Sequence, residues 1–424
     1  MKKGIIKPTI LPGFMELLPS EQKKFDEIVK IIDSVYKQNG CLAIDTPIIE
    51  KSEVLLAKSA GETEKQVYRF TRGKNDLSLR FDLTVPLSRY VAQHYNELTF
   101  PFKRYQIGKV YRGERNQKGR YREFYQCDLD IIGNNKLSIY NDALVISLAD
   151  KAFKKIGLKD YQFKINNRKI LSAVLNSQQI ENIDEVMILI DKYDKIGERE
   201  FLKELIELIG KEKSEYITDI INISGNSNEV INKLKEKNID NVEFAKGISE
   251  LEKVSAFLNS LDVNNFMIDL KIIRGLDYYT GTVFETFLIG NEQYGSFCSG
   301  GRYDNLAENY SNNSLPGVGI SIGLTRLFFV LKEIGFIDSF DNKPKGDYLI
   351  IPIDIELDYP LEIYKIMINE GKDVQIYLEE DKLKKKMNYA NKIGVENVIL
   401  IGEEELKSNK MKIKNMITGQ EEII

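Results

Sequence analysis

Arg104-Tyr105-Gln106-Ile107-Gly108-Lys109-Val110-Tyr111-Arg112-Gly113-Glu114-Arg115-Asn116-Gln117-Lys118-Gly119-Arg120-Tyr121-Arg122-Glu123-Phe124-Tyr125-Gln126 is the stretch on which the reading of this chain turns. From Pro101 to Ile132 aromatic or aliphatic residues alternate with charged ones, and the alternation breaks at Asn116-Gln117-Lys118-Gly119. A period of two is that of a strand, so the segment predicts two long antiparallel strands joined by a loop. Basic residues that alternate along strands can project several from one face beside aromatic rings, where polyanions are welcome. The plain alternative is a solvated sheet face with cross-strand ion pairs. The loop favours phosphate, because it carries Arg, Gln, Lys and Gly with little apolar support and a guanidinium grips phosphate in two-pronged geometry.

Outward from this strip, residues 20 to 39 open with Ser20 as an N-cap candidate and place Phe25, Ile28, Val29, Ile32, Val35 and Tyr36 at helical spacing. The helix stops at Asn39-Gly40, and Cys41 to Pro47 reads as a strand closed by a proline. Further strands are expected at Thr282 to Leu288, Gly295 to Gly300 and Gly317 to Ile322, with a helix from near Gly323. From about Asn166 to Ser260 the texture changes to Lys, Glu, Ile, Leu and Asn at helical periods, which predicts an inserted helical domain. After the polar run Asp338 to Gly346, strand-like Tyr348 to Ile351, Asp373 to Tyr377 and Asn397 to Ile401 alternate with helical stretches, the pattern of a small α/β domain with parallel strands. The expected organisation is therefore α+β: an antiparallel-sheet body in two parts, 1–165 and 261–336, a helical insertion at 166–260, and a C-terminal α/β domain at 345–424.

Composition excludes several alternatives. With 42% apolar and 29% charged residues in 424, the chain has the balance of a soluble globular protein of two or three domains. No stretch approaches the ~20 apolar residues of a membrane span, and Met1-Lys2-Lys3-Gly4 leads into no apolar region, so a cytoplasmic protein without membrane association is expected. Cys41, Cys127 and Cys298 are too few and too scattered for a disulfide framework or thiolate metal site, and read as buried small hydrophobes. The single histidine, His94, rules out a paired-histidine zinc site within one chain; a Ser-His or Cys-His couple would have to use this residue, and no nucleophile-elbow sequence accompanies it. Gly317-Val318-Gly319 with Gly323 has the wrong spacing for a dinucleotide fingerprint, and no phosphate-binding GxxxxGK[ST] loop occurs. A net charge of -4 neither argues for nucleic acid nor excludes it, since local basic strips can hold an RNA on an acidic protein.

The Arg104 to Gln126 strip resembles motif 2 of class II aminoacyl-tRNA synthetases, an Arg-x-Glu loop followed by a strand carrying Phe. Asp45-Thr46-Pro47-Ile48-Ile49-Glu50 resembles their motif 1, associated with the dimer interface, and Pro316 to Leu327 resembles motif 3, which ends in an ATP-binding arginine. Arg274-Gly275-Leu276-Asp277-Tyr278-Tyr279-Thr280-Gly281-Thr282-Val283-Phe284-Glu285 and Ser299-Gly300-Gly301-Arg302-Tyr303-Asp304-Asn305-Leu306 are similar to the two histidine-specific signatures of histidyl-tRNA synthetases. The chemistry agrees: paired glycines allow close backbone approach, and tyrosine hydroxyls with a carboxylate can satisfy both nitrogens of an imidazole. A core role for Tyr278 and Tyr279 is the bland alternative.

The resemblance implies a histidine–tRNA ligase with L-histidine, ATP and tRNA(His) as substrates, magnesium beside the pyrophosphate portion, and a homodimer. It implies that Asp82, Leu83 and Thr84, with Gln126, hold the amino acid, that Asp130 reads the imidazole, and that Tyr278 and Tyr279 complete the pocket. Arg112 and Arg274 become the catalytic cations on the α-phosphate and carboxylate. Phe124 and Arg326 sandwich the adenine, Glu114, Arg115 and Arg120 attend the ATP phosphates or the tRNA end, and no side chain is assigned to a metal. Three places depart from the family pattern: Gly13 to Pro19 replaces a Gly-Thr-Arg-Asp-like stretch, Thr325 stands where glutamate commonly precedes the motif 3 arginine, and Glu421 to Ile424 stands where a closing helix is usual. The competing reading is the histidine-binding regulatory subunit of ATP phosphoribosyltransferase, which generally lacks the last domain and degrades the arginine-bearing signature; both are kept here.

Overall fold

The computed structural model describes residues 6–57, 62–114, 119–273, 278–305, 307–342, 348–408 and 410–423, which fall into two compact units, Met1–Ile337 and Asp338–Ile424. The first unit is built on an eight-stranded sheet and a small three-stranded one. In chain order its strands are β1 Leu42–Ala43, β2 Ile49–Lys51, β3 Arg69–Arg72, β4 Asn75–Leu79, β5 Phe102–Tyr111, β6 Glu123–Ile132, β7 Tyr161–Asn167, β8 Phe266–Ile268, β9 Thr282–Leu288, β10 Cys298–Tyr303 and β11 Gly317–Gly323. The large sheet runs β1-β5-β6-β11-β10-β9-β7-β8, antiparallel throughout except for the parallel pairs at its two edges. The small one, β2-β4-β3, is antiparallel.

The expected hairpin is present: β5 and β6 pair from Phe102↔Ile132 to Tyr111↔Glu123. The basic residues of β5 divide between its two faces. Arg104 lies on one face of β5, while Lys103 and Lys109 lie on the other, and Lys109 spends its charge on Glu123 at 2.8 Å. The strand expected at Gly295 to Gly300 begins at Cys298 instead, because Glu292–Tyr294 is a 3-10 turn and Gly295, at φ 76°, cannot continue a strand. Cys41 to Pro47 forms only the two-residue β1.

The first helix spans Pro19–Gln38, one residue earlier than predicted, with proline rather than Ser20 at its start. Its buried Phe25, Ile28, Ile32, Val35 and Tyr36 cover the apolar rear of the sheet, and Phe25 meets Tyr125 of β6 and Phe328 of the helix Leu324–Glu333 at ring distances of 5.4 and 5.3 Å. All three cysteines are buried. Between β7 and β8 the chain is helical from Arg168 to Ser260, with Asn167, Asn226 and Asn241 accepting backbone N–H groups as N-caps. His94 caps the helix Thr84–Gln93 and sits 3.2 Å from Glu97.

The second unit has the expected parallel strands, β12 Tyr348–Pro352, β13 Val374–Ile376 and β14 Asn397–Ile401. Two antiparallel strands extend them, β15 Lys412–Asn415 and β16 Glu421–Ile423. Neither alternates strongly in polarity, so neither announces itself by pattern; Lys412 and Lys414 both pair with Glu421 across the hairpin.

Glycine placement is what lets the central strands carry bulky groups. A Cβ on Gly300 would stand 2.0 Å from the carbonyl oxygen of Gly319 and 2.7 Å from the Phe284 ring. Gly300→Ala should therefore destabilise the first unit by about 3 kcal/mol or more, or abolish soluble expression. Gly73→Ala, with open space but φ +60°, should cost about 1 kcal/mol, and denaturant unfolding of the two variants checks the difference.

Candidate active site

Because side chains alternate, registry alone assembles one polar face on the large sheet. Arg104 and Gln106 of β5 stand opposite Asp130 and Asp128 of β6, which stand opposite Gly319 and Ser321 of β11, which stand opposite Gly301 and Ser299 of β10. Gly319 is the hinge of this layer: a Cβ there would sit 2.0 Å from Oδ1 of Asp130. Gly317 makes the same allowance for Tyr303, whose ring a Cβ would meet at 2.3 Å. The tyrosine thus lies over the strand and donates its hydroxyl to Asp130 Oδ1 at 2.7 Å. The other carboxylate oxygen of Asp130 faces the Arg104 guanidinium at 2.5 Å, with both side chains almost wholly buried.

A small pocket opens on this layer, lined by Thr84, Asp128, Asp130, Tyr279, Ser299, Tyr303, Gly319, Ile320 and Ser321. Asp82 stands behind Thr84 and accepts the N–H groups of Thr84 and Val85 at 3.2 and 2.9 Å, fixing the start of the helix Thr84–Gln93. Gln126 donates to Ser321 Oγ at 2.7 Å, while its own carbonyl oxygen has no hydrogen-bond partner among the described residues. Tyr278 packs on Tyr279 and edge-on to Tyr303.

Burial governs the acids. Desolvation raises Asp82, Asp128 and Asp130 above the usual carboxylate range, with Arg104 opposing the rise at each, and Asp128 reaches about 7. Arg104 is thus shared by all three carboxyl groups, and at Asp82 the Val85 N–H and Arg112 contribute more than it does.

Beyond the ends of β5 and β6 the character turns cationic. The Arg112 guanidinium lies over the rings of Phe81 at 4.4 Å and Phe124 at 5.1 Å, and donates to the Phe81 carbonyl. Arg326 donates to the carbonyls of Ser296 at 2.6 Å and Gly119 at 3.1 Å. Its guanidinium is held down to about 10 by burial, with Arg120 and Arg112 pushing the same way and Glu114 and Glu285 opposing them. Arg120 reaches Glu114 at 3.5 Å. Thr325, beside Arg326, accepts the backbone N–H of Tyr125 at 2.8 Å.

The structure thus brings together Thr84, Asp130 and Tyr279 in the pocket, Asp82 and Gln126 at its border, and Arg112, Glu114, Arg120, Phe124 and Arg326 at the cationic edge. Leu83 is the exception: its side chain is fully buried and its carbonyl accepts from Arg104 at 3.2 Å, so it supports the pocket wall without lining it. Arg274 and Arg115 lie outside the described residues. Arg104, Asp128, Ser321 and Tyr303 were not singled out individually by sequence. The register of β5 against β6 could have pointed to Arg104, since it stands opposite Asp130.

Residues 13–327 match the family model described as histidyl-tRNA synthetase, and residues 347–424 match that of an anticodon binding domain. The histidine–tRNA ligase of Clostridium acetobutylicum is 61% identical over 98% of this chain and 97% of its own length. That of Clostridium tetani is 53% identical, with 100% and 97% covered. Among solved structures, the histidyl-tRNA synthetase from Nostoc sp. PCC 7120 superimposes with a TM-score of 0.87 at 36% identity, covering 99% of this chain and 97% of that one. A Bacillus halodurans protein described as an ATP phosphoribosyltransferase regulatory subunit/histidyl-tRNA synthetase shares the fold at TM-score 0.78 and 21% identity, covering 94% of this chain and 100% of that one.

Arg104 is the buried counter-charge on which the acids depend. Arg104→Met should cost about 3 to 5 kcal/mol in denaturant unfolding, and combining it with Asp130→Asn should cost less than the sum of the two changes by about 1 to 3 kcal/mol.

Proposed function

The chain belongs to the histidyl-tRNA synthetase family, and from that premise we propose how its residues perform the family's reaction, in which ATP activates histidine to histidyl-adenylate and the histidyl group then passes to the 3′ end of tRNA(His). The observation that carries the proposal is the adjacency of an acid-lined pocket to a cationic edge, with Arg112 acting on Asp82 at the join.

The pocket takes the amino acid. Asp82 uses one oxygen on the Thr84 and Val85 N–H groups and offers the other to the substrate ammonium, assisted by Thr84 and the unpartnered Gln126 carbonyl. Asp130, oriented by Tyr303 and Arg104, meets the imidazole beside Tyr278 and Tyr279.

The first step needs no protein nucleophile. The histidine carboxylate, already ionised, attacks the α-phosphorus in line and expels pyrophosphate, so catalysis reduces to alignment and charge neutralisation. Arg112 holds the carboxylate and the α-phosphate together, and Arg274 supplies a second cation there. Phe124 and Arg326 provide the faces for adenine, and Glu114, Arg115 and Arg120 attend the outer phosphates. Magnesium fits as the companion of the polyphosphate: it prefers oxygen and takes one or two carboxylates with phosphate oxygens, and Glu114 and Glu285 both act on Arg326 at this edge. When bound it neutralises charge on the pyrophosphate portion. In the second step the terminal ribose hydroxyl of the tRNA attacks the adenylate, while the second unit reads the anticodon by contacts to unstacked bases.

A purely regulatory histidine-binding protein would not exchange pyrophosphate into ATP. Histidine-dependent exchange on the purified protein therefore tests the reading, and its absence would end it. Arg112→Ala and Arg274→Ala should each lower exchange by about 100- to 1000-fold, the scale of losing one preorganised charge donor.

The motif 1 segment and the strand before it leave Leu42, Ile48 and Ile49 between 43% and 60% exposed. A two-fold homodimer covers them. Ile49→Glu should convert a dimer to a monomer in light scattering; a wild-type monomer would refute the assembly.

A further inference from the structure

The three acids of the pocket are differently committed. Asp130 has one oxygen on the Tyr303 hydroxyl and the other on Arg104. Asp82 caps the helix that follows it. Asp128 is 2% exposed and lines the pocket, yet among the described residues its Oδ1 has no hydrogen-bond partner and its carboxylate forms no ion pair.

The groups facing Asp128 do not satisfy it. From β5 comes the attraction of Arg104, which is already against Asp130; from β6 and the loop before the helix Thr84–Gln93 come the negative charges of Asp130 and Asp82; from β11 comes only the Ser321 hydroxyl. Arg80 has Asp45 at 3.6 Å and also donates to the carbonyls of Thr46 and Lys109. On the rear of the sheet Cys127 and Tyr36 are held neutral by burial. Arg112 acts on Asp82 and, on the proposed reading, is the group for the substrate carboxylate. With Arg104 against Asp130, and Asp82 left for the ammonium of an amino acid, Asp128 has no counter-charge of its own in this buried layer.

We propose that Asp128 is a specificity-determining residue: its free Oδ1 shares a proton with the ligand's imidazole, so that histidine binds with uptake of one proton from solvent. This rests on the histidine reading above. The balance is simple: a carboxylate, a neutral imidazole and one solvent proton become an imidazolium–carboxylate pair, with no other bond made or broken. The partners are matched, since burial lifts Asp128 to about 7 and an ordinary imidazole titrates near about 6.5. Above both values the free partners hold no proton while the bound pair holds one, and below both they hold two, so affinity should peak near about pH 7, weaken on the acid side and fall about tenfold per pH unit on the alkaline side.

Calorimetric titration of the full-length protein with L-histidine at about pH 8, in two buffers of different ionisation enthalpy, should report uptake approaching one proton per site. Asp128→Asn should reduce it to below about 0.2. If that variant fails to fold, the pH dependence of the wild-type Kd between about pH 7 and 8.5 decides the matter. A buffer-independent heat with a flat Kd, or undiminished uptake in Asp128→Asn, overturns the proposal while leaving the histidine reading standing. Absence of histidine binding to the wild type overturns both.

Discussion

At the centre of the large sheet a guanidinium and a carboxylate, Arg104 and Asp130, face each other out of reach of water. Removing two charges from solvent is costly, and the pair persists only where geometry is supplied by everything around it. Here the supply is backbone: Gly319 vacates the space the carboxylate fills, Gly317 lets Tyr303 lie across to it, and strand register sets Arg104 opposite. The pocket is a by-product of those allowances, since a strand stripped of side chains beside a strand carrying acids leaves a hollow between them.

The same register gives the sheet its two faces. In front stand Gln106, Asp128, Asp130, Ser321 and Ser299; behind them Cys127, Leu129, Ile322 and Cys298 pack under the helices Pro19–Gln38 and Tyr140–Ile156. A single slip of β6 against its neighbours would put acids into the apolar layer and leucine and isoleucine into the pocket, so the rear packing protects the chemistry in front.

Much of this was legible in order along the chain. The β5–β6 hairpin, β9, β11 and the helical stretch after Arg168 follow from periodicity, and the parallel strands β12 to β14 follow from short apolar runs between helices. The pocket was legible only in part, through the likeness of the segments around Asp82, Asp130 and Tyr279 to family signatures. Arg104 escaped because an arginine in an alternating basic strip looks like surface until the neighbouring strand is known. Asp128 escaped because its importance lies in a missing partner, which no pattern displays. The start of β10 was misplaced because the conformation of Gly295, not its neighbours' hydrophobicity, decides where pairing begins.

Thr325 ends one account and opens another. Its hydroxyl receives the amide of Tyr125 across a separation of 200 residues, joining the strand that carries Phe124 to the helix that carries Arg326. On the proposed reading, the two surfaces that would take the adenine are thereby coupled, so that tilting the helix drags the opposing ring with it. The gap behaves as one mechanical coordinate instead of two. And because this tether is an uncharged alcohol, its strength does not vary with acidity in the way a carboxylate's would.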